Sequence, residues 1–153
     1  MQLYRERLWP SAWVFISTAL VVPASLLVFL PINAIAGVIV AIVLYAGTVG
    51  ILIVASPTIV VTKAEVVAGR ARLPIGFSGD AEVFRAAEAT LERGQRLDAR
   101  AWLVIRGWVS PVVKLPVTDP ADPAPYWLIS SRRPEQMAKA VATAKDLAAG
   151  NRP

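Results

Sequence analysis

The hydrophobic pattern of this chain is dominated by one long stretch without a charged side chain. No Asp, Glu, Lys or Arg occurs in residues 8–62, a run of 55 residues. The exposed faces of a water-soluble domain carry charges every turn or two, whereas such a run suits hydrocarbon. Because an α-helix rises about 1.5 Å per residue, about 20 residues cross a hydrocarbon core about 30 Å thick. The run therefore predicts two membrane-spanning helices.

A break in the run divides it into two spans. Pro31 lacks an amide hydrogen and Asn33 tolerates turn conformations, so residues 31–33 predict a tight external turn. The first transmembrane helix is predicted at residues 11–30 and the second at residues 34–55. Such a short link requires an antiparallel helical hairpin, which leaves both ends of the chain on the same side of the membrane.

The basic residues beside the hairpin predict its orientation. Arg5 and Arg7 precede the first span. Lys63, Arg70 and Arg72 follow the second, whereas the turn has neither Lys nor Arg. Because basic flanks are retained in the cytoplasm, we expect a multi-pass protein of the cell (inner) membrane with both termini cytoplasmic.

A cleaved signal peptide is the alternative for the first span, because residues 34–36 have the small-x-small form of a cleavage site. The apolar stretch before them has about 20 residues, whereas the core of a signal peptide has about 7–15. Apolar sequence also continues well past the site. The pattern therefore favours two retained spans.

The spans themselves predict an anchor rather than a transport path. They contain no Asp, Glu, Lys, Arg or His, the residues that mark ion pathways and proton relays inside membranes. Pro23 is expected to kink the first helix. Small residues recur four positions apart in the second helix, which allows close helix packing. Packing within the hairpin explains them, and a homo-oligomer interface is the alternative; these residues are Gly37, Ala41, Ala46 and Gly50.

The polar part of the chain is predicted to comprise a cytoplasmic flank, residues 1–10, and one small cytoplasmic α+β domain, residues 56–153. Short runs of β-branched and aromatic residues predict strands at 58–62, 65–68, 71–75, 101–106, 112–118 and 126–130. The dense apolar run at 101–106 suits a buried strand. Pro116 suits a strand at the edge of a sheet.

Two helices complete the predicted domain. Residues 81–85 fit either a strand or the beginning of a helix that covers at least residues 86–93. Pro134 suits the first position of a C-terminal helix, which Gly150 ends. Six or seven short strands followed by one amphipathic helix is the element order of a pleckstrin-homology-like barrel, and an unrelated α+β sandwich is the alternative.

Composition narrows the chemistry. From residue 58 onward the chain has 14 basic and ten acidic residues, spread along the sequence. This excess suits a domain beside an anionic leaflet. It lacks the concentrated stripe of a nucleic-acid-binding protein. The absence of Cys and His removes thiol chemistry and the commonest general base and metal ligand. We therefore expect no enzyme activity, no metal and no cofactor.

Two sets of residues are the candidates for binding. Arginines are candidate contacts for an anion or a lipid headgroup, and they are Arg70, Arg72, Arg100, Arg132 and Arg133. Residues at a Pro-rich segment form a candidate interaction loop, and they are Asp119, Asp122, Tyr126 and Trp127. The simpler explanations are solvated arginines, Asp-Pro turns and core aromatic rings. The helix that follows Ser131 could also bind phosphate at its N-terminus, for which a capped helix start is the simpler explanation.

Three strings of residues bring a resemblance to a known family. They are Tyr-Arg-Glu-Arg-Leu-Trp-Pro at 4–10, Ala-Gly-Arg-Ala-Arg-Leu-Pro at 68–74, and Asp-Pro-Ala-Asp-Pro-Ala-Pro-Tyr-Trp-Leu at 119–128. In these strings the chain resembles a family of small actinobacterial two-span membrane proteins that is described only as a domain of unknown function. The resemblance implies two spans and a cytoplasmic domain, and it supplies no catalytic residue.

Together these features predict a membrane-anchored, non-enzymatic cytoplasmic module. Its expected partners are the lipid bilayer and an unidentified protein, which it would scaffold at the inner membrane face, or anionic headgroups, which it would sense there. The alternative is a small-ligand or phosphate-binding enzyme subunit that uses the Arg-rich faces of the domain.

Overall fold

The computed structural model of the chain describes residues 1–150 and contains two compact units. An α+β unit comprises Met1–Leu8 together with the chain from Pro57 onward, and a helical unit comprises Trp9–Ser56. Residues 151–153, which the predicted domain includes, lie outside the described residues.

The helical unit contains two apolar stretches long enough to cross a membrane. They are Ala12–Phe29 with 18 residues and Ala34–Val54 with 21. Only 6% and 11% of their apolar windows are buried, unlike the core helix of a globular protein. The first stretch is divided into α1 (Ala12–Ala19) and α2 (Val21–Phe29). Pro23 explains this division, because its ring lacks the N–H that would bond the carbonyl of Ala19.

The second apolar helix, α3 (Ala34–Val54), begins at the predicted turn. The side chain of Asn33 caps it by accepting a hydrogen bond from the backbone N–H of Ala36 at 3.0 Å. A Cβ atom at Gly37 would lie 3.1 Å from the Cβ atom of Phe29, so glycine permits α2 and α3 to pack closely. Packing within the helical unit therefore accounts for Gly37 and for the buried Ala41.

The first sheet of the α+β unit is an antiparallel meander. Its strands are β1 (Gln2–Arg7), β2 (Thr58–Thr62), β3 (Glu65–Ala68) and β4 (Ala71–Pro74), paired in that order. No strand is predicted for residues 1–10, yet β1 occupies most of this flank. Arg7 is paired with Thr58, and the N–H of Leu8 donates to the carbonyl of Pro57 at 3.0 Å. The helical unit is thus inserted in the connection between two neighbouring strands.

The second sheet is mixed. Its strands are β5 (Glu82–Phe84), β6 (Trp102–Val104), β7 (Val112–Pro116) and β8 (Tyr126–Ser130). They are ordered β5-β7-β8-β6, and β6 runs parallel to β8. The ambiguous residues 81–85 therefore contain a strand. The two units confirm the predicted combination of apolar helices and a mixed α+β domain. The described part of this domain has eight strands, because β1 adds one to those predicted.

Two predictions about strand position were wrong. The strand in 101–106 is β6, an edge strand with Leu103 45% exposed. The strand in 112–118 is β7, which lies between β5 and β8. Pro116 is tolerated there because β5 pairs with β7 only as far as Lys114. Its carbonyl accepts instead from the N–H of Gly79, where a side chain would approach the Pro116 ring within 2.8 Å.

Helices cover the sheets. The last helix, α5 (Pro134–Ala149), has the predicted bounds and buries Met137, Val141 and Ala144 in the main core between the two sheets. Helix α4 (Ala86–Arg93) also matches its prediction. It lies on the other face of the second sheet, where Ala89 packs with Val112, Tyr126 and Leu128.

Candidate functional site

The α+β unit has two ends, which its hydrogen bonds define. At the junction end the chain leaves after Leu8 and returns at Pro57, and the indole N–H of Trp108 donates to the carbonyl of Leu8 at 3.3 Å. At the far end the N–H of Lys63, just beyond β2, donates to the carbonyl of Met1. Helix α5 begins at the junction end and ends at the far end.

A buried carboxylate network lies near the junction end. Glu6 is 6% exposed and accepts three hydrogen bonds. Its Oε2 accepts from the hydroxyls of Tyr4 at 2.5 Å and Ser131 at 2.7 Å. Its Oε1 accepts from the backbone N–H of Arg132 at 3.0 Å. The network therefore fixes β1 to the segment that leads into α5.

Tyr4 is held in its neutral form by this network. Burial, together with the neighbouring Glu6 carboxylate, raises the pKa of Tyr4 to about 12. The guanidinium of Arg133 lies 5.5 Å from the centroid of the Tyr4 ring and donates to the carbonyl of Arg5 at 3.2 Å. The Tyr4 hydroxyl is thus a donor to Glu6 throughout the physiological pH range.

Glu6 binds the segment that leads into α5. Helix N-termini attract anions because their first N–H groups lack intrahelical partners. Here the N–H of Arg132 and the Ser131 hydroxyl already bind the chain's own carboxylate. The Ser131 Oγ also accepts from the N–H of Arg133 at 3.1 Å. Glu6 therefore occupies two donors of the segment just before α5, which begins at Pro134.

Sequence reasoning missed Glu6 and Tyr4. The strand alternates Tyr4, Glu6 and Leu8 inward with Arg5 and Arg7 outward. An acidic residue at an inward position conceals the hydrophobic alternation that usually identifies a strand. The one available signal was the string at 4–10, in which tyrosine and glutamate stand two positions apart.

The five candidate arginines do not form one site. Arg72, on β4 of the first sheet, pairs with Glu65 at 3.0 Å. Arg100 lies before β6 of the second sheet and pairs with Asp98 at 3.0 Å. Arg70 is exposed in the turn between β3 and β4 at the junction end. Arg132 and Arg133 flank the network at the start of α5. The structure thus brings three of the five to the junction end.

The predicted interaction loop is smaller than expected. Asp119 and Asp122 each accept a hydrogen bond from the backbone N–H two residues onward, at 2.9 Å, as turn-forming aspartates do. Tyr126 and Trp127 belong instead to β8 and are 8% and 3% exposed. Trp127 packs against Trp102 with ring centroids 6.5 Å apart. The two aromatic residues are therefore core residues, because β8 is an interior strand that is buried on both faces.

A second buried carboxylate, that of Glu92, is linked to the ring of Tyr126 through Lys114. Glu92 on α4 is 3% exposed and binds the Nζ atom of Lys114 at 2.9 Å. That Nζ lies 4.4 Å from the centroid of the Tyr126 ring, whose hydroxyl accepts from the N–H of Asp98 at 2.7 Å. These contacts satisfy the polar groups beneath α4 and hold it on the sheet.

The far end exposes large apolar side chains. Within the described part of the α+β unit, the exposed large apolar residues are Met1, Phe77, Leu103 and Leu147. Phe77 lies in the short 3₁₀ turn that follows β4, and Leu147 lines a shallow groove with Lys63 and Ile75. Three of the four thus lie at the far end.

Comparison with known proteins identifies the family and no activity. The chain belongs to the family described as "Protein of unknown function (DUF3093)", whose model matches residues 3–141. This match confirms the expected domain of unknown function. A search of the curated proteins and a search of the solved structures each find no match.

Proposed function

We propose that this protein is a membrane-anchored, non-enzymatic module that holds its α+β unit, and through it a partner protein, at the inner face of the cell membrane. The insertion of the helical unit between β1 and β2 carries this proposal. Since Leu8 and Pro57 are hydrogen-bonded to each other, the chain leaves and re-enters the α+β unit at one point. An even number of membrane crossings is the arrangement compatible with that connection.

Both termini are expected to lie in the cytoplasm. In a chain with Cys in place of Asn33, a membrane-impermeant maleimide should label intact cells, because residues 31–33 form the external turn. Cys in place of Gly150 should be labelled only after the cells are opened. The chain has no native Cys, so each variant carries a single reactive site. The reverse labelling pattern would contradict the proposed orientation.

The exposed apolar side chains of the far end support a partner protein. Phe77 and Leu147 are each 41% exposed at this end, and a partner that buried them would remove apolar surface from water. The chain passes into the helical unit at the junction end, not at the far end. A protein that presents apolar side chains to Phe77 and Leu147 is the proposed occupant.

The scaffold is tested by what remains bound to the tagged full chain after extraction in mild detergent. A protein in near-equal amount is expected with the wild type and absent from the Phe77→Ser, Leu147→Ser double variant. Leu103→Ser is the matched control, since Leu103 is equally exposed but lies on β6, and it should retain the protein. Equal recovery from all three chains would contradict a scaffold at the far end.

Two finer predictions also belong to this proposal. A pleckstrin-homology-like barrel is supported by the antiparallel first sheet and the closing helix α5, whereas the parallel pair of β6 and β8 is a departure from an antiparallel meander.

A homo-oligomer is supported by Ala46 and Gly50, which are exposed on α3. The alternative of a phosphate-binding enzyme subunit is weakened because Glu6 occupies two donors just before α5, the N–H of Arg132 and the Ser131 hydroxyl.

A further inference from the structure

We propose that the junction end of the α+β unit is a binding surface for anionic lipid headgroups, with Arg70 as a principal contact. This inference rests on the proposed position at the inner membrane face and adds the ligand and the residues. It concerns the junction arginines, defined as Arg7, Arg70, Arg106, Arg132 and Arg133.

Backbone contacts place these arginines beside the points where the chain leaves and re-enters the unit. Arg7 is the last residue of β1 and is paired with Thr58. Arg70 follows Gly69, whose N–H donates to the carbonyl of Thr58 at 3.0 Å. Gly69 has a φ of 64°, so glycine is favoured in the turn that presents Arg70.

The other three arginines are gathered there by the second sheet. Arg106 lies in the loop that contains Trp108, whose indole donates to the carbonyl of Leu8. Arg132 and Arg133 lie beside Glu6, which is two residues from Leu8. Segments that are far apart in the sequence therefore bring five positive charges to the end from which two apolar helices emerge.

The junction arginines outnumber the two carboxylates described at this end. Glu6 is buried among three donors, and Glu135 at the start of α5 binds Arg85 at 2.6 Å. Four aspartates lie at the far end, where Lys63 and Lys145 offset them in part and Lys145 pairs with Asp80. They lie before β5, in the loop between β7 and β8, and in the last turn of α5, and they are Asp80, Asp119, Asp122 and Asp146. The unit is therefore electrically polar, with its basic end toward the attachment of the helices.

This polarity fits a phospholipid surface better than a single bound phosphate. The arginines are spread over strand ends and loops rather than around one cavity, so they match a layer of headgroups. The anionic surface attracts each nearby Lys or Arg enough to change affinity about fivefold. Lys63 lies beyond the other end of β2, about 16 Å away at about 3.3 Å per residue, which exceeds the screening length of about 8–10 Å.

The test measures backbone amide hydrogen exchange of the full chain in lipid nanodiscs. One set contains phosphatidylcholine alone, and the other also contains phosphatidylglycerol. Exchange in residues 69–72 is expected to be about fivefold slower with phosphatidylglycerol, and raised salt should remove the difference. Arg70→Gln should abolish the slowing, whereas Lys63→Gln, in an equally exposed turn, should retain it. Inorganic phosphate added to the phosphatidylcholine discs should not reproduce it.

Three outcomes would overturn the inference. Equal exchange in both kinds of disc would mean that the junction arginines do not bind the lipid surface, and an acidic partner protein would then be their ligand. Slowing by inorganic phosphate alone would assign it to a free anion. Equal effects of Arg70→Gln and Lys63→Gln would show only a response to net charge. The cysteine labelling described above separates these results from a failure of the proposed function, because an external α+β unit would label at residue 150 in intact cells.

Discussion

A chain in which an Asn-Gly turn replaces residues 9–56 is expected to unfold cooperatively, and removal of residues 1–8 from that chain is expected to abolish the transition. A short link can join the two strands, because Arg7 is paired with Thr58 and the N–H of Leu8 donates to the carbonyl of Pro57. Without β1 the unit loses the buried side chains of Tyr4 and Leu8. Large apolar side chains contribute about 2–5 kcal/mol each, against a total stability of about 5–15 kcal/mol. Circular dichroism during urea unfolding measures the result.

The control is a synthetic peptide of residues 1–8 added to the chain that lacks both residues 1–8 and residues 9–56. Because β1 pairs with β2 along its length, the peptide should restore the cooperative transition at high concentration. A fragment beginning at residue 56 is the domain that the hydrophobic pattern alone suggests. If that fragment unfolds as cooperatively as the chain that retains residues 1–8, β1 is not part of the folding unit.

Glu6→Ala is expected to lower the free energy of unfolding of the full chain in detergent micelles by about 3–5 kcal/mol. The substitution removes the acceptor of three donors. The hydroxyls of Tyr4 and Ser131 lie 3.1 Å apart and can bond each other, so two donors lose their acceptor, at about 1–3 kcal/mol each. Glu6→Gln keeps an acceptor for the N–H of Arg132 and should cost less. Urea unfolding followed by tryptophan fluorescence measures both.

Two comparisons separate this network from a general loss of charge. Glu135→Ala removes a carboxylate from an exposed pair and should change the free energy by about 0.5 kcal/mol or less. Tyr4→Phe should cost less in the Glu6→Ala chain than in the wild type, because the two side chains share one hydrogen bond. Additive effects of the two substitutions would mean that the observed bond has little energetic weight.

Most local structure of the chain could be predicted from its sequence. The 3₁₀ turn after β4 shortened one strand, but α4 and α5 begin and end where Pro134, the glycines and the apolar stripes predict. These elements were predictable because their signals lie within a few residues. Strand position was not predictable, and β6 and β7 were assigned to the wrong places for that reason. A local pattern shows that a strand is apolar, whereas its neighbours in the sheet decide whether it lies at an edge.

For the candidate site too, the residue types could be predicted from the sequence, whereas their contacts could not. The arginines and turn aspartates were visible as residue types, but pairing with Glu65 and Asp98 removed Arg72 and Arg100 from the set. Tyr126 and Trp127 stood next to a Pro-rich loop in sequence and proved to be core residues. Glu6 was overlooked because a buried carboxylate has no local signal; its three donors come from residues two and about 125 positions away.

The sequence by itself determined that two apolar helices interrupt a charged chain, because a run of 55 residues without a charged side chain cannot form an ordinary water-exposed surface. It also determined the turn between them and the bounds of the last helix, since proline, asparagine and glycine act on the backbone directly. Only the tertiary structure decided that residues 2–7 belong to the sheet and that the helices are inserted between two paired strands. Strand pairing joins residues about 50 positions apart, and no local pattern of polar and apolar side chains specifies such a partner.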